Sequence, residues 1–357
     1  MTVAGVHRVL VIFIVAAVVM LDGRSSAAQT PRLDYRVVYA SAQRLAHQLD
    51  EAGRDGYGCA RLAQSDPGAG APGVVVLLGR SVGGSSAPVV HLVITAGGMG
   101  RDLQVPLERA AADGFRLCGI VLDEEPPLPA LVAIMVRDAA APAPARHYGV
   151  EILTNYKDSL ARLGTAGREG FRPVASAPVN NNRVPEMRSW LVVTEQLAPV
   201  PRDVVVRSAS GANSLQQALN EQAALGYCVD LIWKEGNDAV AMMSRAHANS
   251  TGTCAYAVDT TSLAKIHTVS HRYVADVPFR APDDHLIISE RSTAATNDVE
   301  EDALPPLGPV GYVQAATLGM LGDHISRHHD SVPMSATVHR RANGSFILTT
   351  IVSDRSR

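Results

Sequence analysis

Leu49-Asp50-Glu51-Ala52-Gly53-Arg54-Asp55-Gly56-Tyr57 returns in altered form three more times along the chain, and that recurrence decides the fold. The other copies end at Gly114-Phe115, Gly170-Phe171 and Gly226-Tyr227, so the ring positions lie 58, 56 and 56 residues apart. Eight residues before each ring stands a leucine, Leu49, Leu107, Leu163 or Leu219, and four further back are Leu45, Leu103, Ser159 and Leu215. Leucines four apart share one face of a helix. Gly53 and Gly167 read as the left-handed residues that end such a helix. The second glycine turns the chain, and the aromatic enters a strand. Its ring, between helix and sheet, buries on the order of 150–250 Å². The spacing predicts helices near Ala42–Ala52, Leu103–Ala112, Lys157–Ala166 and Ser214–Ala224.

Apolar runs flank each motif. Tyr35–Tyr39, Val89–Thr95, Tyr148–Leu153 and Val204–Val206 come before it, and two runs joined by a short loop come after it, such as Phe115–Leu122 then Leu131–Val136. Each unit therefore reads β-α-β-β, with the last two strands a hairpin and the helix on one sheet face. The fold class is α+β, built from tandem repeats with antiparallel-rich sheets. The reading divides the chain into a signal peptide at residues 1–28, repeats at 33–82, 88–138, 146–196 and 202–246, a degenerate fifth repeat at 254–291, an acidic linker at 296–309 and a degenerate sixth repeat at 310–353. In the fifth, Ala255–Val258 and His285–Ser289 read as strands and Ser262–His271 as a helix. In the sixth, Val310–Ala316, Met334–Arg340 and Ser345–Val352 read as strands and Leu318–His329 as a helix. Units at the end of an array often depart from the consensus because they cap it.

The first strand Tyr35-Arg36-Val37-Val38, followed by a helix closing on Leu49-Asp50 and Gly53-Arg54-Asp55-Gly56-Tyr57, resembles small bacterial strand–helix–strand–strand modules of unknown function whose helix ends in Leu-Asn-x-x-Gly-x-x-Gly-Trp. Leu219-Asn220 supplies the Leu-Asn pair in the fourth unit. Tyr or Phe stands here for the Trp, and Ala111 and Ala223 replace the inner glycine. The resemblance implies a fold and no activity, and its landmarks, Gly56, Tyr57, Gly114, Phe115, Gly170, Phe171, Gly226 and Tyr227, are structural.

Net charge is −3 over 357 residues, so no global field recruits nucleic acid. Aromatics are 4% of the chain, too few for base- or sugar-stacking platforms. At the N-terminus His7 and Arg8 precede the apolar run Val9–Leu21 and the small residues Ser25-Ser26-Ala27-Ala28. That order is a secretory signal, and thirteen apolar residues fall short of the ~20 that span a bilayer. The expected location is periplasmic or extracellular, with no stable membrane span once the signal is removed. Cys59, Cys118, Cys228 and Cys254 form no metal clip and suit disulfides in an exported chain. Cys228–Cys254 is the favoured pair, closing the shorter loop across the hairpin of the fourth unit. Cys59–Cys118 is the second; its members are offset by one from their rings, which in a regular strand turns them to opposite sides.

Catalytic signatures are weak: Gly-x-Ser-x-Gly occurs once, as Gly79-Arg80-Ser81-Val82-Gly83, between two strand-like runs rather than between a strand and a helix, and Ser-x-x-Lys occurs once, as Ser262-Leu263-Ala264-Lys265. Ala96-Gly97-Gly98-Met99-Gly100-Arg101 could offer backbone N–H groups to an anion but lacks either nucleotide fingerprint. The one constellation with metal-ligand spacing is His267 with His271 and His324 with His328, each pair four apart and so on one helix face, a geometry suited to a divalent transition metal. Two functions follow. One is a non-catalytic binding or scaffold protein of the cell envelope with a protein partner and no cofactor. The other is a metal-binding protein, with or without enzymatic activity, built on those histidines. The signal also fixes a terminus: N-terminal sequencing of the exported protein is expected to begin at Gln29, and a membrane-bound chain that still starts at Met1 would overturn the assignment.

Overall fold

The computed structural model describes residues 33–62, 64–65, 73–81, 87–123, 129–140, 144–153, 156–179, 189–235, 237–247, 254–262, 272–278, 284–290, 310–315, 331–340 and 346–354. The first unit comprises β1 Leu33–Ala40, α1 Ala42–Arg54, β2 Gly58–Leu62, the short β3 Gln64–Ser65 and β4 Val74–Ser81. The second comprises β5 Val89–Gly97, α2 Gln104–Ala112, β6 Arg116–Asp123 and β7 Ala130–Asp138. The third holds β8 His147–Leu153, α3 Tyr156–Arg168, β9 Arg172–Val179 and β10 Ser189–Gln196, and the fourth β11 Arg202–Ala209, α4 Ala212–Ala223, β12 Cys228–Glu235 and β13 Asp238–Ala246. The fifth contributes β14 Tyr256–Ser262, β15 Arg272–Pro278 and β16 Asp284–Glu290, and the sixth β17 Val310–Ala315, β18 Ser331–Arg340 and β19 Phe346–Asp354. The helices expected over Ser262–His271 and Leu318–His329 lie outside the described residues, apart from Ser262, which ends β14. β15 has no counterpart among the strands expected from the sequence.

Every sheet has one strand order: first, third, second, all antiparallel. The helix carries the chain from the first strand to a second that runs parallel to it, and the hairpin returns the third strand into the gap between them. The third strand is thus central and buried on both faces, and it reads as a continuous apolar run: Val74–Leu78, Leu131–Val136, Ala239–Met243. Its alternate residues serve two different cores. Val132, Ile134 and Val136 pack with Leu45 and Leu49 of α1, whereas Leu131, Ala133 and Met135 pack with Leu103 and Leu107 of α2 and with Leu191 and Val193 of the third unit. The same pattern continues through Leu163, Val192, Val240 and Met242, and through Leu215, Leu219, Ala241, Leu286 and Ile288. Each core therefore lies between units.

The units close on themselves. β2 packs against β6, β6 against β9, β9 against β12, β12 against β15, β15 against β18, and β18 back against β2. β3 of the first unit joins the sheet of the sixth as a parallel neighbour of β18, pairing Gln64 with Thr337 and Ser65 with Val338. The expectation that the last units cap an open array is corrected: the sixth unit meets the first, and no end is left to cap.

The second strand carries a one-residue irregularity against the third in all six sheets. The extra residues are Ala60, Cys118, Val174, Asp230, Val274 and Met334. In the first four units this residue is the third after the aromatic, so the two units that lack the Gly-aromatic pair keep the bulge that follows it. A bulge inserts one unpaired residue and strengthens local twist. It also explains the disulfide across the first junction. Cys59 and Cys118 are bonded, with Cα atoms 6.1 Å apart; Cys118 is itself the bulged residue, so the alternation that would turn it away from Cys59 is broken there. Cys228–Cys254, 5.8 Å between Cα atoms, joins the start of β12 to the residues leading into β14, and so ties the fourth unit to the fifth rather than crossing the fourth hairpin.

The glycines divide their work differently from the sequence reading. Gly56, Gly114, Gly170 and Gly226 take the positive φ, between 80° and 95°, that ends the helix and admits the ring. Gly53 and Gly167 instead lie inside α1 and α3, pressed against the first strand of the next unit: a Cβ on Gly53 would sit 2.2 Å from the Val89 carbonyl oxygen, and one on Gly167 2.6 Å from that of Arg202. Over the rings lies a group absent from the sequence reading. The guanidinium carbons of Arg80, Arg137 and Arg245, near the ends of the third strands, stand 4.4, 4.7 and 4.7 Å from the ring centroids of Tyr57, Phe115 and Tyr227. Each also donates to the carbonyl two residues before its ring, Asp55, Asp113 or Leu225. In the third unit the Gln196 side-chain amide donates to the Glu169 carbonyl in the same way.

Two glycines three residues apart in α3 are expected to respond with opposite sign. Gly164 faces open space, so Gly164→Ala gains helix propensity of roughly 0.5–1 kcal/mol. Gly167→Ala drives a methyl into backbone and costs roughly 1–3 kcal/mol or more. Denaturant titration of both variants decides it; two changes of the same sign would refute the close approach.

Candidate functional site

The candidate metal ligands His267, His271, His324 and His328 lie outside the described residues. Among the described residues no group of three or more His, Cys, Asp or Glu side chains is arranged to hold a metal. In the glycine-rich loop at 96–101, Gly100 is buried at φ 66°, where a Cβ would meet the side chains of Leu191 and Leu131.

The densest buried polar cluster occupies the junction of the second and third units. Glu195 on β10 and Arg146 just before β8 form an ion pair at 2.8 Å, with the two side chains 7% and 8% exposed. The hydroxyl of Tyr148 on β8 donates to the same carboxylate oxygen of Glu195 at 3.0 Å and accepts from the Leu117 backbone N–H at 2.8 Å. Arg172 on β9 approaches the other Glu195 oxygen at 3.5 Å. Glu108 on α2 accepts from the Tyr148 backbone N–H and lies 3.3 Å from His147 Nδ1. Burial, reinforced by the charge of Glu195, pushes the Tyr148 phenol far above its ordinary value of 10. At neutral pH it is a fixed hydrogen-bond donor and not a proton shuttle.

The same hydrogen-bonded construction recurs between the fourth and fifth units. Tyr256 Oη accepts from the Val229 N–H at 2.7 Å, and the Asn220 side chain brackets the Tyr256 backbone, accepting from its N–H at 2.7 Å and donating to its carbonyl at 2.9 Å. Gln216 accepts from the Val258 N–H. Leu117 and Val229 stand two residues after their rings, and Glu108 and Asn220 one residue after the second helix leucine. The cluster around Glu195 is therefore one instance of a recurring joint, and Glu290 and Arg272 hold the strand positions of Glu195 and Arg172 in the fifth unit. It covers the open backbone groups of strand edges, which otherwise invite foreign strands. No family model, curated protein or solved structure matches the chain. The geometry of the joints is thus the basis for any functional statement.

The joints alternate. At the strand position of Tyr148 and Tyr256 the first unit has Tyr35, while the second, fourth and sixth have His91, Val204 and Val310. Where Val204 supplies no acceptor, the third unit supplies no donor, because Pro173 stands where Leu117 and Val229 do. That joint is filled by apolar side chains and the only two tryptophans, Trp190 and Trp233, whose buried rings lie 5.6 Å apart. The first joint has the disulfide, and in it Asp123, at the end of β6, accepts from the N–H of Ala42, the first residue of α1, and from that of Gly73. A carboxylate there satisfies open N–H groups and complements the helix dipole.

His91, also in the first joint, is buried, and burial holds its pKa below 6.5, with the Leu49 backbone and the Asp50 carboxylate pulling the other way. The folded chain thus resists a proton that the unfolded chain accepts, so stability is full above pH 6.5 and falls as pH drops below that value. His91→Val, which installs the residue found at Val204, is expected to flatten the loss of melting temperature between about pH 7.5 and 5. An unchanged pH profile would show that this imidazole does not titrate with folding.

Proposed function

We propose that the chain acts as a non-catalytic binding or scaffold protein of the cell envelope. The observation that carries this reading is where the buried polar groups go. Tyr148, Asp123, Asn220 and Tyr256 are committed to joints between units, and Glu195 with Arg146 anchors Tyr148, so they stiffen a frame and leave no cluster of those groups poised toward solvent. The two disulfides tie neighbouring units together and fit an oxidising compartment. No helix among the described residues is long and apolar enough to cross a membrane.

In this reading the partner, a protein, binds at one end of the ring. In each of the first four units the connection between the second and third strands leaves and re-enters the sheet at the end where the helix starts. These connections differ widely in length: two residues, Gly236-Asn237, separate β12 from β13, and nine, 180–188, separate β9 from β10. A rigid frame with divergent loops on one rim is the usual arrangement for specific contact. Replacing residues 180–188 with a two-residue turn is expected to leave the melting temperature within a few degrees of wild type while abolishing rescue of a deletion strain. If the shortened chain still rescues, and joint replacement of His267, His271, His324 and His328 by Ala removes both rescue and a metal bound to untagged protein, the metal-binding reading takes over.

A further inference from the structure

We infer that the ring opens reversibly at the joint between the sixth and first units, with β3 as the strap that is released from β18 and rejoins it. Three observations lead there. Every other pair of neighbouring units is joined by the chain itself, so a linker bounds their separation; the sixth and first units are neighbours in space without being neighbours in sequence. The two disulfides lie at other joints, between the first and second units and between the fourth and fifth. Finally, the seam carries a short parallel pairing, Gln64–Thr337 and Ser65–Val338, that no other joint has among the described residues, so its release and return can be followed at named amides.

The energetics favour opening at this place over any other. A closed ring parts at one joint only if the two units can swing apart, and the seam alone offers that with neither a linker nor a disulfide holding the two sides together. The groups lost are the parallel pairing of β3, the packing of β18 on β2 and the cover over the β4 face turned away from α1, where Val75 and Leu77 are buried. The antiparallel pairing of β18 with β19 and of β2 with β4 lies inside the units and stays intact. The open state is therefore a partial opening of the kind that native-state hydrogen exchange resolves from global unfolding. It also bares the edge of β18 that β3 covers, an edge that accepts a parallel strand in the closed ring.

Hydrogen exchange on the mature, oxidised chain tests this directly. Amides of β3 and of the β18 residues facing it are expected to exchange together, at least about tenfold faster than those of β6 and β9. A second variant, Ser65→Cys with Val338→Cys, places thiols at partner positions across the seam. Oxidation of that pair is expected to slow β18 to the rate of β6, and reduction to restore the fast rate. The inference is overturned if β3 and β18 in the wild-type chain exchange no faster than β6 and β9. It is overturned equally if a formed cross-link leaves β18 exchange unchanged, since the fast rate would then come from fraying within the sixth unit.

Discussion

A three-stranded sheet whose middle strand is apolar on both faces has two surfaces to bury and one helix to cover them with. The rest of the structure depends on that shortfall. Val132, Ile134 and Val136 can be covered only by the unit before, and Leu131, Ala133 and Met135 only by the second unit's own helix together with the unit after. No unit is complete alone, and each supplies one wall of two cores. Hydrophobic burial of this kind, at roughly 25 cal/mol per Å², makes neighbour contact a condition of folding rather than an embellishment. The sixth unit meets the first through β18 and β2, so the chain forms a ring in which each unit has two neighbours.

Much of the unit was legible in the residues. Leucines at four-residue spacing marked the helices, and the Gly-aromatic pair marked the entry to the second strand, because those signals are local. The helix ends moved by a residue or two: α1 runs on to Arg54 and α2 begins at Gln104. Gly53 and Gly167 were misread for a physical reason. Glycine serves both positive φ and close approach, and only the neighbouring strand, tens of residues away, shows which is needed. The Arg80, Arg137 and Arg245 rungs were hidden because they come from the end of each unit and act on its middle. β15 was missed because Arg272–Pro278 is interrupted by two charges, Arg272 and Asp276, and closed by a proline. The candidate site divides in the same way. The histidine pairs were visible as a spacing and fall outside the described residues, whereas the Glu195 cluster draws on five segments of two units and has no local signature.

The joints show how one backbone plan tolerates different chemistry. Two neighbouring strands must resolve an open edge, and the chain does so by a tyrosine hydroxyl accepting from a backbone N–H, or by removing the donor with Pro173 and the acceptor with Val204. The buried ion pair of Arg146 and Glu195 carries the cost of desolvating two charges. Such pairs seldom stabilise more than an apolar substitute would, although removing one partner alone costs about 3–5 kcal/mol. Its value here lies in orientation: the Glu195 carboxylate, held by Arg146 and Arg172 within the third unit, fixes the Tyr148 hydroxyl that accepts from the Leu117 N–H of the second.

Closure also sets a rule for how such a chain can change in length. An open stack gains or loses a module and remains a stack. In a ring, the wedge between neighbours, set by the helix on one side of each sheet and by the inner bulged strands that meet without one, must sum to a full turn. A single duplication or deletion would leave a gap or an overlap at the seam, with the apolar faces of two third strands uncovered or in collision. Drift within units is tolerated, as the fifth and sixth show by keeping the bulge while losing the glycine and the ring. The number six is then under far tighter constraint than any residue in the repeat.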